Sequence, residues 1–311
     1  MYVIIINPTA GAGRGKKVYE KLQKHISSRT SDCRSFFTKY EGHAEELAPQ
    51  IVSMHKDKVE AVLVIGGDGT MHEVLNGLKQ HPHIPIGFIP AGSGNDFVRG
   101  IQSKARGSTL FKKLLSARKP QAYWAGVYRM DKRKKHHSRL FVNSIGFGFD
   151  AEVVKRANVA AYKKLFNSLH IGSFAYIVAV VEMLFRYELK TLDVEVDGEV
   201  QTFENVWMAA VGVHGYYGGG MKIMPDAKMN RNHFSMIIIH DVSKWKILAL
   251  FGTVFFGVHK YFQGVTMKEG SCINIKSYTP ISYQVDGQPS SCEQCMIHKE
   301  SQPRKVLQIK K

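Results

Sequence analysis

Short β-branched runs alternate with helix-spaced segments along the first 120 residues. Val3–Ile6 is wholly apolar and stops at Asn7-Pro8. Val18–Ile26 has helical spacing, Arg34–Thr38 predicts a second strand, and Ala44–Met54 a second helix despite Pro49. Ala61–Ile65 is again wholly apolar; Met71, Val74, Leu75 and Leu78 then recur with the period of a buried helix face. Ile84–Ile89 closes the series. Strands apolar on both faces that alternate with helices predict a covered parallel sheet.

Beyond residue 120 the pattern changes. Leu140–Ser144, Thr191–Val196, Val206–Val213, Phe234–Ile239, Cys272–Lys276 and Ile281–Val285 read as strands, and Asp197-Gly198 as a tight hairpin turn. Helices are predicted over Ala151–Leu165, Gly172–Phe185 and Lys244–Tyr261. The expected fold class is an α/β lobe, residues 1–125, followed by a mainly β lobe, residues 126–299.

With 311 residues and 44% hydrophobic positions, the chain can bury a core and suits about two domains. Four cysteines are too few for a disulfide scaffold. The start, MYVIIINP, has no basic segment ahead of its apolar run and reads as a buried strand, not a leader. Ile171–Phe185 and Trp245–His259 fall short of the roughly 20 residues that span a bilayer. A cytoplasmic location is expected. The net charge of +17 points to polyanions: phosphorylated molecules, an anionic membrane surface or nucleic acid. No basic stripe with interleaved aromatics supports nucleic acid.

The richest chemistry follows Ala61–Ile65, in Gly66-Gly67-Asp68-Gly69-Thr70-Met71-His72-Glu73. Glycines let backbone amides approach a phosphate, and the start of the following helix favours anions. A carboxylate in such a loop repels phosphate. Asp68 therefore suggests either a bridging Mg²⁺ or a proton acceptor facing a transferred phosphoryl group. The plainer alternative is a tight turn with Asp68 capping the helix. Two further glycine loops argue against turn chemistry alone: Asn7-Pro8-Thr9-Ala10-Gly11 after the first strand, and Pro90-Ala-Gly-Ser93-Gly-Asn95-Asp96 after Ile84–Ile89. Loops at the carboxyl ends of parallel strands converge on one crevice. Neither a Walker A pattern nor GxGxxG is present.

NPTAGAGRG, GGDGTMHEVLNGL and PAGSGNDFVRG, in that order, resemble the three nucleotide loops of the diacylglycerol kinase catalytic-domain family, in its bacterial lipid kinase branch. NSIGFG, GGGMKIMPDA and VDG extend the resemblance along the second half. Sphingosine kinases are related; NAD kinases and 6-phosphofructokinases share only the GGDGT-type loop. The resemblance implies a nucleotide lobe of the NAD kinase/phosphofructokinase type, to which the chain returns at about 300–311, and a β-rich lipid lobe. It implies ATP with Mg²⁺, a lipid alcohol such as diacylglycerol as acceptor, a role in phospholipid biosynthesis, peripheral membrane association and possible homodimers. Asn7 to Gly11, Thr38, Gly66 to Glu73, Ser93 and Asn95 would contact the nucleotide. Asp68, Asp96, Asp286 and position 288 would form the catalytic set, and Asp68 is the one candidate for holding Mg²⁺.

Two departures stand out. Gln288 occupies the place of the Glu often assigned as proton acceptor, which leaves Asp286 or Asp68 for that role. Asn230-Arg231 replaces an acidic pair that helps hold a structural Mg²⁺; Arg231 paired with Asp226 would replace the ion. These departures motivate the alternative of a catalytically weak nucleotide- and lipid-binding homologue with a regulatory role. A kinase of the NAD kinase type is a second alternative. Cys292-x-x-Cys295 with Cys272 and His298 could bind zinc, although two reduced thiols on a hairpin is the favoured reading. Arg129 with Lys132–Lys135, and Lys155, Arg156, Lys163 and Lys164, are candidates for facing a membrane. Phe251–Val258 is apolar enough to line an acyl pocket or to be core.

Overall fold

The computed structural model of the chain describes residues 1–27, 33–55, 58–101, 107–117, 119–130, 138–158 and 172–307. The predicted hairpin tip at 131–137, with Lys132–Lys135, and Lys163 and Lys164 lie outside these residues.

The first sheet holds β1 (Tyr2–Ile6), β2 (Cys33–Phe37), β3 (Ala61–Gly66) and β4 (Ile86–Pro90), parallel and in the order β2-β1-β3-β4. β15 (Arg304–Val306) extends it in parallel and β5 (Gln121–Tyr123) closes it antiparallel, so the chain does return to this sheet near its end. Ile4 sits opposite Leu63 and Ile6 opposite Ile65. Alternate residues of β1 and β3 enter two different cores. Ile4, Ile6, Leu63 and Ile65 pack with Leu22 and Ile26 of α1 (Ala10–Ser27) and Leu110 and Leu114 of α5 (Gly107–Leu115). Val3, Ile5, Val62 and Val64 pack with Ala44 and Ala48 of α2 (His43–His55) and Val74 and Leu75 of α3 (Asp68–Gly77). The chain runs outward from β1 to β2 but in the opposite direction from β3 to β4. The crevice therefore opens at the carboxyl ends of β1 and β3, where open α/β sheets bind ligands.

The second sheet is antiparallel: β6 (Gly126–Met130), β7 (Arg139–Phe141), β8 (Ser144–Gly148), β9 (Lys190–Val196), β10 (Glu199–Gly212), β11 (Phe234–His240), β12 (Val265–Gly270), β13 (Cys272–Val285) and β14 (Gln288–Lys299). Its order is β12-β11-β10-β8-β13-β14-β6-β7, and β9 pairs with both β10 and β13. The predicted strands Cys272–Lys276 and Ile281–Val285 are one strand, β13. Its register shifts between Lys276 and Ile281 and lets the strand pair with β9 at one end and β8 at the other. β14 escapes sequence pattern because its inward residues are Cys292, Cys295 and Ile297, not a β-branched alternation. Cys292 faces Ile281 and Cys295 faces Ile275 in register, so both thiols belong to the core. No group of three metal-ligating side chains occurs among the described residues.

Three helices pack on this lobe: α6 (Phe149–Asn158), α7 (Gly172–Arg186) and α8 (Lys244–Val254). The predicted helix Lys244–Tyr261 is broken. Gly257 turns the chain with φ +73°, and a Cβ there would meet Pro225 at 2.8 Å. A single 3-10 turn, His259–Tyr261, follows.

Candidate active site

The three glycine loops meet backbone to backbone. Asn7 accepts from Thr9 N, Thr9 Oγ1 and Ala10 N through Oδ1 at 3.1, 2.9 and 3.1 Å. Its Nδ2 donates to Thr70 Oγ1 at 3.0 Å and ties the first loop to the second. Gly11, at φ +57°, has room for no side chain, since a Cβ would lie 2.2 Å from Ala91 O. A Cβ on Gly92 would lie 2.5 Å from Gly67 Cα. Beside these loops opens a polar cleft of about 440 Å³. Asn7, Pro8, Thr9, Ala10, Thr38, Gly67, Gly69, Thr70 and Glu73 line it from the first lobe, and Asp286, Gly287 and Gln288 from the second. Lys39, Tyr40 and Glu41 also line it. Sequence reasoning stopped at Thr38 and missed these three, although they directly follow it.

Several expected nucleotide contacts lie elsewhere. Met71 is core, 1% exposed, because it is the first inward position of α3. His72 is buried and its Nδ1 lies 2.8 Å from Asp286 Oδ2. Gly66 ends β3 with its carbonyl accepting from Ala91 N and Gly92 N, and Gly11 packs on Ala91. Asn95, at φ +56°, bonds Gly92 O at 2.9 Å and braces its own loop. Ser93 is exposed and is not among the residues lining the cleft. Glu73 lines the cleft and also accepts from Ala44 N at 3.1 Å, at the start of α2; burial raises its pKa.

The carboxylates divide by role. Asp68 accepts from Asp96 N and Phe97 N, both at 3.1 Å, at the start of α4 (Asp96–Gly100). Burial, then repulsion from Asp96, pushes its pKa up to about 6. Asp96 reaches the second lobe, where Gly219 N donates to its Oδ2 at 2.8 Å; Arg99 Nη1 holds its Oδ1 at 3.1 Å. Burial raises Asp96 too. Asp286 sits in the β13–β14 turn at φ +49°. Its Oδ1 accepts from Asn143 N and Ser144 N at 2.8 and 3.2 Å, its Oδ2 from Val142 N at 2.9 Å, and His72 takes the remaining direction. Four donors saturate this carboxylate. The expectation that Asp286 accepts the substrate proton is therefore corrected: it anchors the turn that carries Gln288.

The paired-ion expectation at Asp226 is also corrected. Lys260 pairs with Asp226, while Asn230 Oδ1 accepts from Asn232 N and His233 N at 2.8 and 2.6 Å and closes its own turn. Neither group retains the free oxygen set that Mg²⁺ requires.

Behind the cleft lies a second, apolar compartment that sequence reasoning did not find. Val153, Trp207, Ile247, Leu250 and Val254 are among the walls of a cavity of about 50 Å³ with Asp150 and Tyr217 at one end. A Cβ on Gly146 would lie 2.1 Å from the Tyr217 hydroxyl and 2.2 Å from Asp150 Oδ2, so this glycine of NSIGFG makes room for the pair. The Tyr217 hydroxyl donates to Asp150 Oδ2. Gln284 Nε2 donates to Tyr217 Oη at 2.5 Å, and Gly287 N donates to Gln284 Oε1 at 2.7 Å. This chain joins the cleft's hairpin turn to the cavity. Asp150 Oδ1 is buried with no hydrogen-bond partner among the described residues, and burial pushes its pKa up to about 7.

Three phosphate-sized loops, a buried carboxylate pair and an apolar compartment define a two-lobed phosphotransferase for an apolar acceptor. Residues 1–123 match the model of the diacylglycerol kinase catalytic domain, and residues 143–307 that of the YegS C-terminal NAD kinase beta sandwich-like domain. The chain belongs to this lipid kinase family. It is 35% identical to the Bacillus subtilis protein YtlR, provisionally named a lipid kinase, over 92% of this chain and 93% of that one. It is 26% identical to a diacylglycerol kinase of Staphylococcus carnosus, over 92% and 87%. Among solved structures, a diacylglycerol kinase of Bacillus anthracis shares the fold at TM-score 0.70 and 18% identity, over 99% and 96% of the two chains. Yeast NADH kinase does so at 0.56 and 13%, over 100% and 84%.

Proposed function

We propose that the chain transfers the γ-phosphate of ATP to the hydroxyl of diacylglycerol or a related lipid alcohol, as a step in phospholipid biosynthesis. The observation that carries this reading is the joining of the polar cleft to the apolar cavity through Gly287, Gln284, Tyr217 and Asp150. Nucleotide phosphates belong at the amides of Gly67–Thr70 that open α3, with Asn7–Ala10, Thr38 and Lys39 beside them and the Tyr40 ring offered to the base. Asn95 acts from the third loop by bracing it. The division taken here is residues 1–125 with 300–311 for nucleotide and 126–299 for lipid.

Asp68 and Asp96 are two buried carboxylates whose raised pKa values signal a missing counter-charge, and each keeps acceptor directions unused. They fit a Mg²⁺ that arrives with the phosphates and supplies charge neutralisation at the γ-phosphoryl group. Gln288 lines the cleft but its amide cannot accept a proton, and Asp286 is saturated. Asp68 is then the proton acceptor. The lipid oxygen forms its bond to γ-phosphorus, the bond from γ-phosphorus to the bridging β-oxygen breaks, the hydroxyl proton passes to Asp68, and ADP leaves.

The cavity is smaller than an acyl chain, so lipid entry requires α8 to move away from Val153 of α6 and Trp207 of β10, which it faces across the cavity. Asp150 and Tyr217 would orient the glycerol end. The protein acts in the cytoplasm and reaches its substrate from the membrane surface. Transfer of labelled phosphate from ATP·Mg²⁺ to diacylglycerol, monoacylglycerol, ceramide and sphingosine in mixed micelles tests the reading. A labelled glycerolipid is expected. Label in NAD, or in no lipid while ATP still binds, would overturn it in favour of the NAD kinase-type or the weakly catalytic alternative.

A further inference from the structure

Helix α8 is apolar on two opposite sides. Ile247, Leu250 and Val254 face inward, where they wall the apolar cavity. Trp245 and Leu248 point outward, and Phe256, two residues past the helix, adds to them; they are 71%, 43% and 80% exposed. Tyr261, 79% exposed, and Phe262 extend the patch, and Phe185 of α7 joins it with its ring 6.2 Å from that of Trp245. A helix in water hides its apolar stripe and shows polar residues opposite. A continuous exposed apolar patch of this kind marks an interaction surface.

The charge around the patch selects the partner. Residues 244–262 contain Lys244, Lys246 and Lys260 and no carboxylate. Two carboxylates near the patch are paired, Asp226 with Lys260 and Glu182 with Arg156 and Arg186, while Asp241 accepts from Asn205 and keeps its charge. Lys244 lies 5.8 Å from the Phe185 ring centroid, its stem laid along the apolar surface. Aromatic side chains rimmed by lysines suit the boundary between lipid headgroups and acyl chains. A second copy of this chain would bring the same lysines against these across a two-fold axis, and they would repel. An anionic bilayer attracts them.

We propose that the outer face of α8 and the turn to Phe262 is the surface by which this enzyme docks on an anionic lipid bilayer. The proposal rests on the lipid kinase reading, because it sets the apolar cavity directly behind the docked helix, within reach of a substrate leaving the bilayer. It assigns membrane contact to residues other than the basic clusters seen in sequence, of which Arg156 is held by Glu182.

The test is co-sedimentation of the full chain with phosphatidylcholine vesicles, with and without phosphatidylglycerol. Binding is expected to require phosphatidylglycerol. Trp245→Gln with Phe256→Gln should weaken it on the order of tenfold or more, and Lys246→Gln roughly fivefold. Trp207 is buried and Trp245 exposed, so brominated phosphatidylcholine in the vesicles should quench emission that Trp245→Phe removes. Phosphate transfer to a monomeric short-chain diacylglycerol should stay at the wild-type rate in the double variant. Wild-type vesicle binding by the double variant would overturn the proposal. So would unquenched Trp245, or a wild-type dimer that the double variant dissolves. Vesicle binding through this face without phosphorylation of any lipid would instead remove the kinase reading and leave the docking surface standing.

Discussion

At residue scale the account turns on two buried carboxyls with opposite work. Asp68, held to about 6 by burial and Asp96, is ionised at neutral pH and loses its acceptor oxygen when protonated. The transfer rate at saturating ATP·Mg²⁺ should therefore fall as Asp68 takes up its proton, with the midpoint of the pH–rate profile of kcat below about 6, because the Mg²⁺ it would hold favours the ionised carboxyl. Asp150, held up to about 7, binds its proton more tightly in the folded chain than in the unfolded one. The stability this contributes is fully present below about pH 4 and is lost as pH rises through about 7. Asp150→Asn removes that loss. The difference in Tm, variant minus wild type, should be more positive near about pH 8 than near about pH 5. If Asp150 also orients the lipid, the same variant should lower lipid phosphorylation while ATP binding stays unchanged. Equal Tm differences at both pH values would mean that the carboxyl titrates normally.

At element scale the convergence of the three glycine loops was legible because glycine is demanded where backbones touch. Gly11 against Ala91 is such a place. Gly11→Ala should raise KM for ATP strongly and lower Tm by far less, since the strain falls on a surface loop; an unchanged KM would separate that loop from the nucleotide. The strands and helices of the first lobe followed from apolar runs buried on both faces, which leave little ambiguity. The second lobe was harder to read. Asp150, Tyr217 and Gln284 meet only because β8, β10 and β13 pair side by side, and nothing local in the sequence announces that. Asp286 was misread for the same reason: its motif shows a carboxylate, not the three backbone amides and the histidine that fill it. The helix broken at Gly257 was hidden by unbroken hydrophobicity, and its outer side is apolar without being core.

At the scale of the whole molecule, two kinds of contact matter: one between the lobes, the other within the first lobe, where the chain returns. Asp96 grips Gly219 across the cleft. Near the end of the chain, buried Arg304 donates to Leu78 O and Lys79 O at 2.7 and 3.0 Å, at the carboxyl end of α3, and pairs with Glu300. The guanidinium satisfies carbonyls that a helix end leaves open. Arg304→Met should cost about 3–5 kcal/mol of stability, because it strips a buried charge partner from Glu300. Urea unfolding would measure it, and a loss below about 1 kcal/mol would mean that the return of the chain is held by β15 alone. No described helix is long and apolar enough to cross a membrane.

The most direct test of the account is single-turnover transfer from ATP·Mg²⁺ to diacylglycerol by wild type, Asp68→Asn and Gln288→Glu, with ATP affinity measured alongside. The account predicts an active wild type, a fall on the order of 10²–10⁴ in Asp68→Asn with ATP still bound, and little gain in Gln288→Glu. Transfer by Asp68→Asn at the wild-type rate would contradict it, as would an inert wild type that Gln288→Glu restores.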